Sequence, residues 1–408
     1  MKSIFQVFAN RRIAASLLLG FSSGIPLGLT GSTLQAWMAS QKIDLAVIGI
    51  FSLVGLPYTL KFLWAPLMDR FVPPFLGRRR GWILVSQLAL ALTISAMAFS
   101  NPATSPAMMA ALALMVAFFS SSQDIVVDAY RTEILRPEEL GAGAATYIMG
   151  YRIAMLVSGA LALILSDHLP WQTVYLLMAA TMIIGIVTSL LSPEAEVSAK
   201  APKTLRDAVV LPFIEFFKRK GAFEVLAFIV LYKLDVVMAS ALTTPFLMEL
   251  NFTRTDIGAV NKGFGLISMI VGTLIGGGMM SRLGMNASLW LFGLLQGFSG
   301  LAFTLLAHLG HHYPMMITAI AVENFCSGMG TAAYSGFLMS LCDRRFTATQ
   351  YALLTSLMAL TRVIAGAPTG FIAKAYGWET YFIISTLMMI PGLLLLTRYK
   401  KWNPVAAV

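Results

Sequence analysis

At 408 residues, 58% hydrophobic and only 12% charged, with a mean hydropathy of +0.77, the chain has about half the charge of an ordinary soluble domain. It reads as a membrane protein with many crossings, and its formal net charge of +10 does not point to nucleic acid, because the basic residues lie between apolar segments where topology accounts for them. Cys326 and Cys342 sit in or beside one apolar segment and the four histidines fall in short loops, so no disulfide framework, metal centre or other cofactor is expected.

Residues 1–12 are short and basic, and the long apolar run that follows lacks a clear small-residue cleavage site. It reads as a retained first span rather than a signal peptide. With about 20 apolar residues needed per crossing, twelve spans are predicted, at 13–38, 45–67, 82–100, 107–130, 142–166, 172–192, 222–249, 256–280, 287–307, 314–341, 347–373 and 379–398. The expected fold class is an all-α integral membrane protein of twelve transmembrane helices. A hydrophilic stretch separates spans six and seven, which gives an N-terminal half over 1–192, a cytoplasmic linker over 193–221 and a C-terminal half over 222–408.

The halves carry matching signals. Ile43–Gly49 opens span two and Phe252–Gly258 opens span eight; Ala129-Tyr130 in span four matches Ala333-Tyr334 in span ten; Arg152 in span five matches Arg362 in span eleven. A shared offset of about 205–210 residues relates the pairs, and two parallel six-span repeats are the layout of the major facilitator superfamily. Of the 29 Lys and Arg, 21 fall on the side of the N-terminus and three (Lys42, Arg254, Lys374) on the other. Both termini are therefore expected in the cytoplasm.

Five basic residues, Lys61, Arg152, Lys233, Lys262 and Arg362, lie within spans, as do the acids Asp124, Asp128, Asp235 and Glu323. Spans three, six, nine and twelve carry none of them, as expected if the third helix of each triplet faces lipid. Asp124 and Asp128 share one helix face. Two carboxylates there cannot both ionise cheaply, which suits proton carriage; the alternative is structural pairing with Arg152 and Lys61. Proton coupling is assigned to Asp124, with Asp128 and Glu323 as further candidates. Arg152, Lys233 and Arg362 are placed to hold substrate carboxylates. Asp235, Gln35, Gln123, Tyr130, Asn324 and Tyr334 supply polar and aromatic contacts suited to sugar. Lys233 and Asp235, two apart on a helix, are expected to point to different faces. Asp69-Arg70 at the end of span two and Arg78 at the start of span three are candidate gate residues, with Asp69 reaching Arg131 at the end of span four. The competing reading makes the basic cluster an ordinary positive-inside loop and the buried charges helix-register pairs. No nucleophile–base constellation or metal motif appears, so an enzyme is not expected.

Several motifs together resemble the bacterial muropeptide permeases, the AmpG-like family of the major facilitator superfamily. They are Gly24-Ile25-Pro26-Leu27, Leu34-Gln35-Ala36-Trp37-Met38, Ile48–Gly55, Lys61-Phe62-Leu63-Trp64-Ala65-Pro66-Leu67-Met68-Asp69-Arg70, Gly77-Arg78-Arg79-Arg80-Gly81-Trp82, Ser122–Ala129, Gly141–Ala145 and Gly150-Tyr151-Arg152 with Leu156–Gly159. The resemblance is dense in the first half and sparser in the second. It implies proton-driven import of N-acetylglucosaminyl-1,6-anhydro-N-acetylmuramic acid and its peptides across the bacterial inner membrane, for cell-wall recycling, with a link to β-lactam resistance. It implies a small-molecule muropeptide, protons and the lipid bilayer as partners, no nucleic acid and a monomer. Some members carry hydrophobic segments beyond twelve, and this chain ends after its twelfth. A eukaryotic branch is assigned acetyl-CoA transport, so another anionic solute is the alternative substrate.

Overall fold

The computed structural model describes residues 10–43, 47, 51–193, 202, 204–253 and 256–402, apart from the side chains of Ser52, Lys262 and 359–367. Among the described residues, helical segments fall within each of the expected spans. Nine described helical segments are long and apolar enough to cross a membrane: Arg11–Ser40, Gly77–Ala98, Pro106–Ile134, Pro137–Ser166, Trp171–Leu191, Ala222–Glu249, Ile257–Leu283, Met285–Leu309 and Pro368–Leu396. Tyr313–Ser340 forms span ten, and Thr347–Leu387 carries span eleven into span twelve. Gly284 and Gly377, with φ of 76° each, turn the chain between spans eight and nine and between eleven and twelve. Only glycine adopts that conformation without strain.

Spans two and seven depart most from the expected continuous helices, and span one kinks at Gly31. Span two consists of short pieces, Phe51–Gly55, Leu56–Leu60, Lys61–Leu63 and Ala65–Arg70. Pro57 and Pro66 each sit at the start of a piece, where a missing N–H costs least. The opening residues of this span, 44–46 and 48–50, lie outside the described residues. Span seven breaks between Ala222–Leu231 and Leu234–Glu249, with Lys233 at φ −108°, ψ 8°. The linker is also more ordered than its composition suggests. It contains the helix Leu205–Phe217, capped by the Thr204 hydroxyl, which accepts from the Asp207 N–H. Leu205, Val209, Phe213 and Phe217 form an exposed apolar stripe on it, while Ala208, Pro212 and Phe216 face the bundle. Arg206, Asp207 and Pro212 hide this helix in the sequence.

Apolar packing is asymmetric along the bundle axis. At the end bearing Arg11 and Trp402, one core joins both halves, including Ile125, Tyr130 and Leu135 with Met280, Tyr334 and Leu338. At the other end are two separate cores. Ile25, Leu90, Met97 and Tyr175 belong to one within the N-terminal half, and Phe246, Phe303, Ile320 and Phe382 to one within the C-terminal half. The halves therefore meet at the basic end and part at the opposite end. The seam is tight where span eight meets span five: a Cβ on Gly277 would lie 2.6 Å from the Gly141 carbonyl oxygen and 2.7 Å from the Ala145 Cβ. Backbone there cannot yield cheaply. Gly277→Leu is expected to wedge this seam open, and cross-linking of cysteines placed across the basic end should fall several-fold.

Candidate functional site

The N-terminal half buries a four-charge cluster. Asp128 is gripped by Arg131, three residues on along span four, and its other oxygen lies 3.8 Å from Lys61 Nζ of span two. The break at Lys61–Leu63 turns that lysine inward, where it is 9% exposed. The Arg131 guanidinium carbon sits 3.7 Å from the Tyr147 ring centroid, a close cation–π contact. Asp124, one turn away, is buried, and its Oδ1 has no hydrogen-bond partner. Trp64 Nε1 donates to Ser122 Oγ at 3.0 Å and ties span two to span four. Lys61 thus pairs with Asp128 rather than Asp124. Arg152 is half-buried on span five, with Nη1 4.0 Å from Met155 Sδ.

The C-terminal half buries a second cluster. Lys233 Nζ donates to Gln296 Oε1 at 2.9 Å, Thr331 Oγ1 at 3.0 Å and the Ser327 carbonyl at 3.2 Å. All three ammonium protons are satisfied. The Gln296 amide donates in turn to the Tyr232 carbonyl at 2.9 Å and to Asp235 Oδ1 at 3.4 Å. Lys233 and Asp235 make no direct pair, as their spacing leads one to expect, and are linked only through Gln296. Glu323 on span ten is buried beside them, lining one cleft with Asp235 and Gln296.

Gln296 escapes sequence reasoning because span nine carries no charge and so reads as wholly lipid-facing. A signal exists all the same. Gln87 of span three and Gln296 are 209 positions apart, the offset of the other repeat pairs. Gln87 plays the equivalent part in the N-terminal half, where it accepts from Ser189 Oγ at 2.8 Å and donates to Ser22 Oγ at 3.4 Å.

The basic end is closed by a third network. The Arg79 Nη2 group lies 2.7 Å from both Asp69 Oδ1 and Glu133 Oε1. Asp69 also accepts from the Ala348 N–H at 3.3 Å, the Thr349 N–H at 2.8 Å and the Thr349 hydroxyl at 2.7 Å. These donors belong to the first turn of span eleven, where backbone N–H groups lack helical partners and favour an anion. Arg78 bridges Glu133 at 3.2 Å and the Arg344 carbonyl at 3.1 Å. The network joins spans two, three and four to the far half. Asp69 and Arg78 both take part in it. Asp69 meets Arg79 rather than Arg131, which Asp128 occupies, and the Arg70 guanidinium lies over the Phe71 ring. Glu133 is a member of this network that the sequence reading does not single out, though it lies in the same polar end of span four.

Several residues expected to touch substrate are otherwise engaged. The Tyr130 hydroxyl donates to the Pro193 carbonyl at 2.5 Å, and Tyr334, stacked on Tyr232, donates to the Ile229 carbonyl at 2.6 Å. Both rings are buried in the shared core. Gln123 donates to Ser23 and Ser22 of span one at 3.1 and 3.4 Å and braces the N-terminal half. Gln35 is exposed near the parted end and Asn324 is half-buried, bonded to the Ile320 carbonyl. The side chains of Arg362 and Lys262 lie outside the described residues.

Residues 16–367 match the family description Major Facilitator Superfamily. The anhydromuropeptide permease of Escherichia coli K12 is 50% identical over 393 residues, covering 96% of this chain and 80% of that one. Putative transporter AmpG 4 of Rickettsia conorii is 33% identical over 403 residues, covering 96% and 97%. The crystal structure of a bacterial homologue of the iron transporter ferroportin, in an outward-facing state, superposes with a TM-score of 0.65 at 15% identity over 98% of this chain and all of that one. That likeness is one of fold. The chain is a multi-pass membrane transporter, not an enzyme, and belongs to the major facilitator superfamily and, within it, to the family of the anhydromuropeptide permeases.

Proposed function

We propose that this chain carries N-acetylglucosaminyl-1,6-anhydro-N-acetylmuramic acid and its peptides from periplasm to cytoplasm through the inner membrane, as a monomer driven by the proton gradient. The identity of half of all aligned residues to the E. coli permease carries the substrate assignment. The basic end is cytoplasmic in this reading, both termini included, because it holds most of the chain's Lys and Arg. The conformation is then outward-facing: closed by the Asp69–Arg79–Glu133 network and open to the periplasm where the apolar cores part. Residues 1–192 and 222–408 act as the two rocking halves, with 193–221 between them.

Asp124 is the leading proton carrier. It is buried, has an unpartnered oxygen and lies beside the Lys61–Asp128–Arg131 set, so a proton arriving there changes the charge of a poorly solvated cluster. Arg152 and Asn324, both half-buried, are the described residues best placed to meet substrate carboxylate and sugar, with Gln35 at the entrance. Uptake of radiolabelled anhydro-muropeptide into proteoliposomes tests the reading. An inward proton gradient is expected to raise accumulation at least about tenfold over the gradient-free control. Uptake of acetyl-CoA or another anionic solute in its place, with none of the muropeptide, would overturn the substrate assignment.

A further inference from the structure

The linker helix Leu205–Phe217 turns about 100° per residue, and its surface divides into three faces. Ala208, Pro212 and Phe216 are buried against the bundle. Asp207, Leu211 and Glu215 share a second, more polar face. The third carries Val209, Phe213 and Phe217, with Leu205, Val210 and Ile214 beside them, each 42–45% exposed. Contacts with the C-terminal half set how the helix is turned. Gln350 Nε2 of span eleven donates to the Pro212 carbonyl at 3.1 Å, Arg219 Nη2 donates to the Leu341 carbonyl at 2.6 Å, and Glu215 lies 3.8 Å from Arg345. The helix is thereby fastened to that half and does not roll its apolar face inward.

What covers that face follows from continuity and from charge. The Phe217 ring centroid lies 5.3 Å from that of Phe223, which is 76% exposed on the first turn of Ala222–Leu231. That turn opens the membrane-crossing segment Ala222–Glu249. The stripe thus runs from the lipid-facing wall of span seven onto the basic end of the bundle. Arg206 lies on the same side as Val209 and Phe213, three and seven residues on, and Lys218 and Lys220 follow the last turn; all three bases are exposed. Over residues 204–221 four bases stand against two acids. An apolar face bordered by exposed bases is the pattern of a helix that lies in a membrane surface, with long basic stems reaching past the apolar face to headgroup phosphates. In water the same stripe would be an aggregation hazard.

We propose that Leu205–Phe217 docks on the anionic lipid surface of the leaflet at the basic end, with Val209, Phe213 and Phe217 sunk among the upper acyl chains and Arg206, Lys218 and Lys220 binding lipid phosphates. The partner is the leaflet itself rather than a soluble protein or a second copy of the chain, because the stripe is continuous with a surface already in lipid and its charged border is positive. Through Gln350, Leu341 and Arg345 the docked helix ties the closed end of the C-terminal half to the membrane surface. Docking depends on the membrane location alone, so failure of muropeptide uptake leaves it untouched.

Spin labels on single cysteines of the full-length protein test this. Cys326 and Cys342 are replaced by serine, and the protein is held in nanodiscs of phosphatidylcholine with about 30% phosphatidylglycerol. Labels at Phe213→Cys and Phe217→Cys should collide with dissolved oxygen in preference to a water-soluble nickel complex. Their oxygen-to-nickel ratio is expected to exceed that at Asp207→Cys and Lys218→Cys at least about fivefold. Val209→Cys, on the same face, replaces either lipid-side variant that does not fold. Exchanging phosphatidylglycerol for phosphatidylcholine should move the Phe213 label toward water, and the joint change Arg206→Gln, Lys218→Gln and Lys220→Gln should give the same shift in the anionic discs. A Phe213 label as open to nickel as the Lys218 label would overturn the proposal. So would shielding from both reagents, which with spin–spin broadening means a second copy on the stripe and without it another part of this chain. A label depth indifferent to phosphatidylglycerol would overturn the binding of anionic headgroups.

Discussion

Asp69→Asn is expected to release the closed basic end and to lower uptake by at least about tenfold. One carboxylate there answers the Arg79 guanidinium, two backbone N–H groups and the Thr349 hydroxyl. Asparagine offers a single acceptor oxygen and turns an NH2 group toward donors. Breaking a buried ion pair from one side costs about 3–5 kcal/mol. Because Ala348 and Thr349 belong to the other half, much of that cost falls on the closed state alone. Each 1.4 kcal/mol of differential cost is about tenfold in the balance of states, so a shift of about a hundredfold is within reach. The native Cys342, half-buried just beyond span ten, reports on it. Burial, and more weakly the nearby Asp69, Asp128 and Asp343 carboxylates, push its thiol well above the ordinary range despite Arg219, so maleimide reacts slowly while the end stays shut, and the loss of the Asp69 charge alone accounts for only a small part of any gain. In a Cys326→Ser background, Asp69→Asn should speed Cys342 labelling at least about tenfold. Thr349→Val, which removes one hydroxyl bond, should act in the same direction and far more weakly. Unchanged labelling in Asp69→Asn would remove the gate role.

The positions of the spans and of the buried charges are legible in the sequence, because bilayer thickness fixes segment length and an intramembrane charge stands out against apolar neighbours. Partnerships are not. Asp69 and Arg131 are natural partners by span position, yet Arg131 is taken by Asp128 one turn away and Arg79 lies nearer to Asp69 across the span two–three turn. Tyr130 and Tyr334 form a visible repeat pair, but pseudo-symmetry does not say whether a pair faces the cavity; both hydroxyls bond backbone carbonyls in the shared core. The uncharged amides Gln87 and Gln296 escape because attention to charge passes over neutral groups, although a buried amide must find partners just as a charge must.

The two carboxylates of span four should separate cleanly under substitution. Asp128 holds Arg131 and Lys61, so Asp128→Asn leaves two buried cations short of a partner. That is the kind of change that costs about 3–5 kcal/mol of stability. Asp128→Asn is expected to express poorly, to unfold at lower temperature and to lose both proton-driven uptake and solute counterflow. Asp124 takes part in no ion pair within 4 Å among the described residues, and its Oδ1 is unpartnered. Asp124→Asn replaces it with a neutral group of nearly the same shape, much as protonation would. Its unfolding temperature should match the wild type or exceed it, since a buried charge is removed. Gradient-driven accumulation should disappear, while exchange of labelled for unlabelled muropeptide, which needs no net proton movement, should persist. The contrast between the two assays is what identifies a coupling residue: a residue that merely supports the fold loses both together, and a residue that binds substrate loses counterflow first. Full gradient-driven accumulation in Asp124→Asn would move the coupling proton to another group, and the cleft between Asp235 and Glu323 would be the next place to look.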